Sequence, residues 1–283
     1  MEDDRQNFRS VPSDGAAISD ATVAAPVWSL PLAGAPTATD GPAPTSATWS
    51  ELPDYLVRHY WWAYLWRPAV WFFDHQPIIN AIVFGQYTRL TNETLRLLDP
   101  ANAGSTLMVA SAYGKLIPSL AARLEGNRLM VVDVAPIQLE RARCKLEDVG
   151  FSDRVDLQRM NAEVLDFDDA RFDSAMMFLL LHELPDEPRR RALTEALRVV
   201  RPGGQLVLAE YGASTRTHPL HRWAPLRWIF GAAEPFLPSL WRQDLDALLE
   251  SCASAAGRRV VCKERVSIFG GFYRVLRYRV EEA

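Results

Sequence analysis

The chain has 283 residues, 48% of them apolar, with a formal net charge of −4. That length suits one large domain with a tail or two small ones, and the apolar share is enough for a full core. The acidic balance gives no electrostatic reason to expect nucleic acid, and Cys144, Cys252 and Cys262 lack the spacing of a metal site or a disulfide framework, which fits a reducing compartment.

In chain order, residues 1–48 come first. They begin "MEDD", which is wrong for a signal or transit peptide. They are rich in Ala, Pro, Ser, Thr and Asp without periodicity, so they are expected to be a disordered tail. Residues 49–98 contain "LPDYLVRHYWWAYLWRPAVWFFDHQPIINAIVFGQYTRLTNETLRLL", which predicts two or three helices broken near Pro68 and Pro77, an aromatic-rich cap. From 99 to the end, strands alternate with helices. "TLMVASA", "RLMVVDV", "VDLQRM", "FDSAMMFLLL" and "GQLVLAEY" read as strands; "IPSLAARL", "PIQLERARCKLEDVG" and "EPRRRALTEALRVV" read as the helices between them. This alternation predicts an α/β fold with a mostly parallel sheet covered on both faces. Residues 213–243 form an insertion expected to cover the substrate. The final "RRVVCKERVSIFGGFYRVLRYRV" predicts an antiparallel hairpin around Gly270 and Gly271 at the sheet edge. No apolar run is long enough to span a bilayer.

Ligands of an open α/β sheet bind outside the carboxyl ends of its strands. The first such end is Ala110–Lys115, where a tight turn keeps only Gly114 of the glycines expected there. The second is Asp133, whose carboxylate can accept from both hydroxyls of a ribose or can cap the following helix. At the third, Asn161 and Ala162 can face an adenine edge. The fourth brings His182, Glu183 and Asp186 to the end of an apolar strand.

"VVDVAPIQLERARCKL" and "LRVVRPGGQLVLAEYG" resemble the second-strand and fifth-strand motifs of class I S-adenosylmethionine-dependent methyltransferases, a resemblance covering roughly residues 105–280. It implies a Rossmann-like sheet that binds S-adenosyl-L-methionine through Ala110, Ser111, Ala112, Gly114, Asp133, Val134, Asn161, Ala162 and Leu180. The chain departs from that family at Met108, where an acidic residue is usual. It departs again at Ser111, Ala112 and Tyr113, where glycines or small residues are usual.

The block "RHYWWAYLWRPAVWFFDHQPIINAIVFGQYTRL" followed by "VASAYGKL" resembles the RquA proteins of rhodoquinone biosynthesis over nearly all of residues 50–280. That resemblance implies conversion of ubiquinone to rhodoquinone, with an amino group replacing a ring methoxy group. It also implies S-adenosylmethionine as the amine donor and Mn2+ as an aid. The base completing amine release is then sought among Tyr113, Lys115, His182 and Glu183. The metal is sought at His182, Glu183 and Asp186, with Glu210, His218 and His221 also chemically suitable. Two other readings are an ordinary methyltransferase on a quinone or other apolar ring, and a non-catalytic scaffold in a quinone-synthesis assembly.

Seven of the 9 tryptophans fall in two blocks, Trp61, Trp62, Trp66 and Trp71, then Trp223, Trp228 and Trp241. Arg58, Arg67, Arg222 and Arg227 lie among them. Such mixtures suit either an interfacial membrane surface or the core of the cap. The membrane reading places the protein peripherally on the inner face of the cell membrane.

Overall fold

The computed structural model describes residues 52–99, 103–124, 127–213, 218, 220 and 233–283. The tail at 1–48 lies outside the described residues, as do His221, Arg222, Trp223, Arg227 and Trp228 of the insertion.

The sheet has seven strands in the order β3-β2-β1-β4-β5-β7-β6. They are β1 (Ser105–Val109), β2 (Arg128–Asp133), β3 (Val155–Arg159), β4 (Phe172–Phe178), β5 (Val200–Tyr211), β6 (Arg258–Ile268) and β7 (Tyr273–Glu282). The first five run parallel, and β7 pairs antiparallel with both β5 and β6. The central strands are continuous apolar runs because helices cover both faces: in β4 six of the seven residues are buried. The edge strand β6 instead carries Arg259, Lys263, Glu264 and Arg265, charges that discourage pairing with another chain. Chain order reverses beside β1, between β2 and β4, and a crevice opens at such a switch point.

Four helices follow the predicted places closely or add to them. They are α5 (Leu116–Arg123), α6 (Pro136–Glu147), α7 (Asp186–Val199) and α9 (Leu245–Ala255), preceded by the short α8 (Leu237–Arg242). The pattern of the sequence did not single out α9. It is capped by Asp244, whose carboxylate accepts from the N–H of Asp246 and Ala247 at 3.0 and 3.3 Å. Pro202-Gly203-Gly204 forms an irregularity within β5. Between Phe172↔Val200 and Ser174↔Gln205, β5 carries extra residues that β4 lacks. Gly204 is needed there, since a Cβ would sit 2.5 Å from the Asp173 carbonyl oxygen.

The cap is more fragmented than the sequence suggests. A single π-helical turn (Leu56–Tyr60) runs into α1 (Trp61–Tyr64), α2 (Arg67–Phe73), α3 (Gln76–Ile82) and α4 (Tyr87–Leu97). Pro68 and Pro77 sit in the first turns of α2 and α3, where a missing N–H costs nothing. The prolines therefore start helices rather than break them, and the count exceeds two or three. The last helix, α4, is no cap: it packs against β5, β6 and β7 as one of the sheet's covering helices.

Candidate functional site

A cleft of about 1200 Å3, counting its open mouth, lies over the carboxyl ends of β1, β2 and β4 and beneath the π-turn, α1 and α3. One half is built from the sheet: Ala110–Tyr113, Val132–Ala135, Met160–Ala162 and Phe178–Leu180. The other half is largely aromatic and acidic, with Tyr55, Tyr60, Tyr64, Tyr211, His182, Glu183 and Glu234.

In the first half, Asp133 is the organising residue. Its Oδ2 accepts the Ser111 N–H and its Oδ1 the Ala135 N–H, each at 2.8 Å. It does not cap α6, whose N-cap is Ala135 with no side-chain bond. Burial pushes its carboxyl from 3.8 up to about 6, against the pull of the two N–H groups. Each oxygen keeps a second acceptor direction, so the carboxylate suits two ribose hydroxyls. Val134 lines the wall beside it, and its carbonyl accepts from Arg159 Nε at 3.2 Å. Asn161, with Oδ1 on the Glu163 N–H at 3.0 Å, and Ala162 form the opposite rim. Ala110 and Leu179, the residues just past β1 and β4, both have positive φ, 68° and 53°. Such strain at a cleft is held by its surroundings and is typical of ligand sites.

Gly114 does not line the cleft. Its N–H donates to Asp74 Oδ1 at 2.8 Å, its φ is 73°, and a Cβ there would lie 2.7 Å from the Tyr87 hydroxyl. Glycine here leaves room for the Tyr87 ring. Lys115 also misses the cleft: it is exposed and precedes α5. The cation at this turn is Lys145 of α6, which sequence reading overlooked. Tyr113 lines the cleft, but its hydroxyl donates to the Ala63 carbonyl and accepts from Gln138 Nε2 at 3.0 Å. Its ring stacks on Tyr64, centroids 5.6 Å apart. It is a tie between the turn and the cap, not a free proton acceptor.

In the second half, Glu210 at the end of β5 organises the turn after β4. It accepts the Leu181 N–H at 2.8 Å, the His182 N–H at 3.3 Å and the Tyr211 N–H at 2.7 Å, and pairs with His182 Nδ1 at 2.8 Å. Burial would lower His182 and raise Glu210. Their mutual attraction outweighs it, lifting His182 to about 9 and holding Glu210 below its ordinary range. Glu183 is pushed up to about 8, chiefly by burial, with further upward pressure from Glu234. At neutral pH this places an imidazolium–carboxylate pair beside a largely protonated carboxyl group, a set able to donate and accept protons.

Three tyrosines of the cap reach this machinery. Tyr55 donates to Glu163 at 3.4 Å, Tyr60 to Glu234 at 3.0 Å, and Tyr64 to Glu183. Tyr55 and Tyr60 are five apart, which the wider π-turn brings nearer to one face than an α-helix would. The five- and four-residue tyrosine spacing was the available signal, but it breaks α-helical periodicity.

The expected metal set does not assemble. His182 Nδ1 is committed to Glu210, Asp186 lies at the exposed start of α7 paired with Arg189 at 3.1 Å, and His218 packs against Phe269 and Phe272. Among the described residues no three His, Cys, Asp or Glu are placed to share a metal ion. Arg189 is fully buried and holds the segment carrying His182 and Glu183, bonding the carbonyls of Leu181, Leu184 and Phe236 at 2.7, 2.7 and 3.2 Å.

Residues 107–204 match a family model described as a methyltransferase domain. A ubiquinone/menaquinone biosynthesis C-methyltransferase, UbiE, of Hahella chejuensis is 32% identical over 145 residues, covering 50% of this chain and 56% of that protein. A phosphatidylethanolamine N-methyltransferase of Cereibacter sphaeroides is 30% identical over 182 residues, 63% of this chain and 81% of the relative. The chain thus spans about half the length of the first quinone methyltransferases it matches. Among solved structures, an O-methyltransferase family protein from Burkholderia thailandensis superposes with a TM-score of 0.57 at 18% identity, over 84% of this chain and 69% of that one. With the strand order and a ribose-type carboxylate at the end of β2, these matches place the chain in the class I S-adenosylmethionine-dependent methyltransferase family.

Proposed function

We propose that this protein transfers a group from S-adenosylmethionine to a quinone ring, and that the group is the amine, converting ubiquinone to rhodoquinone. The observation that carries the proposal is the two-part cleft. A nucleoside-type wall with Asp133 continues without a break into an aromatic chamber holding His182 and Glu183. The chamber suits a flat ring: Tyr60, Tyr64 and Tyr211 offer faces and edges, while His182 and Glu183 supply protons. S-adenosylmethionine supplies the transferred group when bound. The amine's lone pair attacks the methoxy-bearing ring carbon, one proton leaves the nitrogen and one reaches the methoxide, which departs as methanol. The bond between nitrogen and the methionyl α-carbon must then break by elimination, a base taking a β-proton and the nitrogen regaining one, so that the rest of the donor leaves as an unsaturated carboxylate. Glu183, near 8, and His182, near 9, are suited to that exchange. The quinone is supported by the relatives named for ubiquinone and menaquinone synthesis. Of the residues expected to hold manganese, His182 and Glu183 line the chamber, whereas Asp186 pairs with Arg189 and His218 packs against Phe269 and Phe272.

Access to a long-tailed quinone is supported by the cap surface. Trp61, Trp66 and Trp71 are 48, 49 and 58% exposed, with Trp62 and Phe72 beside them. Exposed tryptophans near Arg58 and Arg67 suit a headgroup layer, and no described helix is long and apolar enough to cross a membrane. We propose that the protein sits peripherally on the inner face of the membrane.

Ordinary ring methylation is the second reading, favoured by the same relatives. Purified protein with ubiquinone, S-adenosylmethionine and Mn2+, followed by mass spectrometry, separates them. An aminoquinone without matching S-adenosylhomocysteine supports amination. Stoichiometric S-adenosylhomocysteine with a methylated ring supports methylation. Neither product defeats both.

A further inference from the structure

The cleft reaches the surface at an apolar place. Of the described residues that line it, Ile82 alone is exposed, at 47%. It ends α3; Ile79, one turn before it, and Val83, just after it, line the same wall and are buried. A lone exposed isoleucine needs no explanation, but one joined to the apolar wall of a cleft marks a place for an apolar ligand. The rim continues into the hairpin. Phe84 stacks on Phe269, which lies in the turn between β6 and β7, with centroids 6.0 Å apart and planes 21° from parallel. Both backbones are left-handed, with φ of 55° and 53°, a conformation uncommon for bulky side chains and held only where the surroundings enforce it. Phe272 meets Phe84 edge-on at 5.7 Å and Tyr211, a wall of the chamber, at 5.5 Å. Aromatic packing therefore runs from the chamber to the rim.

We propose that this rim is the exit for a long apolar side chain on the ring substrate: the ring sits in the chamber, and its isoprenoid tail leaves over Ile82 and Val83 beside the Phe84–Phe269 pair. This names a subsite of the quinone reading and rests on it. Charge supports the assignment. Residues 76–86 and 266–273, which hold the two sides of the rim, contain no Asp, Glu, Lys, Arg or His. The carboxylates of the cleft, Asp133, Glu183 and Glu234, are each less exposed than Ile82. A hydrocarbon tail passing a charged mouth would strip water from that charge. An uncharged mouth lets it pass and shields its first carbons from water, which is worth about fourfold in affinity for each carbon buried.

The test is calorimetry with the cofactor site filled by S-adenosylhomocysteine. One probe is 2,3-dimethoxy-5,6-dimethyl-1,4-benzoquinone, which has no tail. The other carries two isoprene units in place of one of the ring methyl groups. The wild-type protein is expected to bind the tailed quinone about tenfold or more tightly than the tail-less one, since burial of a few carbons suffices. Ile82→Glu, which puts a charge on the rim, is expected to cut that gain to about threefold or less, and Ile82→Leu to keep it. A merely structural isoleucine would weaken both probes together and leave their ratio as it was. Should Ile82→Glu fail to fold, Ile82→Thr takes its place and is expected to lose at least about threefold of the gain. Equal binding of the two quinones to the wild type overturns the inference, as does an undiminished gain in the folded variant. Binding of neither quinone refutes the quinone reading, and this inference with it. Binding of both without preference for the tail refutes the inference only.

Discussion

Replacing Asp133 by Asn should remove a pH dependence from the protein's stability and make it a poorer binder at the same time. The Asp133 carboxyl is raised from 3.8 to about 6 by burial, and at about 1.4 kcal/mol per pH unit the charged form is disfavoured in the fold by about 3 kcal/mol. The sign follows from proton counting. Between about 4 and 6 the unfolded chain binds fewer protons than the folded one, so this group's contribution falls as pH rises through that window and stays low above it. Asn is neutral, but its amide nitrogen cannot accept one of the two N–H groups, at a cost of about 1–3 kcal/mol at every pH. The stability of Asp133→Asn relative to the parent should therefore rise by about 3 kcal/mol between pH 4 and pH 8 in denaturant unfolding. Binding should move the other way. Loss of a carboxylate that accepts ribose hydroxyls should cost about 1.5–3 kcal/mol, or about ten- to 150-fold in the Kd for S-adenosylhomocysteine. In the wild type that affinity should fall as pH drops below about 6, and in the variant it should be flat. A variant whose stability difference from the parent is the same at pH 4 and pH 8, and which binds as tightly as the parent, would refute the reasoning. Asp133 would then be a structural tie between Ser111 and Ala135 and nothing more.

Further expectations concern the second half of the cleft and the cap. Tyr64→Phe removes the donor that lowers Glu183; the pH–rate limb near 8 should move to higher pH, and an unmoved limb would exclude Glu183 as the titrating group. Arg189→Met strands three buried carbonyls and should cost about 3–5 kcal/mol in urea unfolding; a loss under about 1 kcal/mol would show that the turn at 181–184 is held by other means. Trp61, Trp66 and Trp71 changed together to Ala should sharply reduce binding to anionic vesicles while shifting stability by about 0.5 kcal/mol or less per site, as exposed positions do; unchanged vesicle binding would remove the cap from the membrane contact.

The alternation of apolar strands with amphipathic helices determined the sheet, because strand and helix periods differ and each run had to bury its own face. Asp133 was legible for the same reason: a carboxylate closing an apolar strand marks a strand end, and strand ends are where such sheets bind ligands. His182, Glu183 and Glu210 were legible as strand-end polar groups. Their roles were not, since the raised proton affinity of Glu183 and the His182–Glu210 pair arise only when β4 and β5 lie side by side. Gly114 and Lys115 show the limit most plainly. Both looked like ligand contacts by position, yet the glycine makes room for Tyr87 and the lysine faces solvent. The cation that fills the turn, Lys145, sits on another helix 31 residues away from Gly114. The partners Asp74 and Tyr87 come from the segment before the sheet. No local pattern joins residues so distant, because the link is made by packing α2, α4 and α6 around one turn. The sequence by itself determined where a ligand must enter; tertiary structure decided which side chains meet it and which have already been spent on one another.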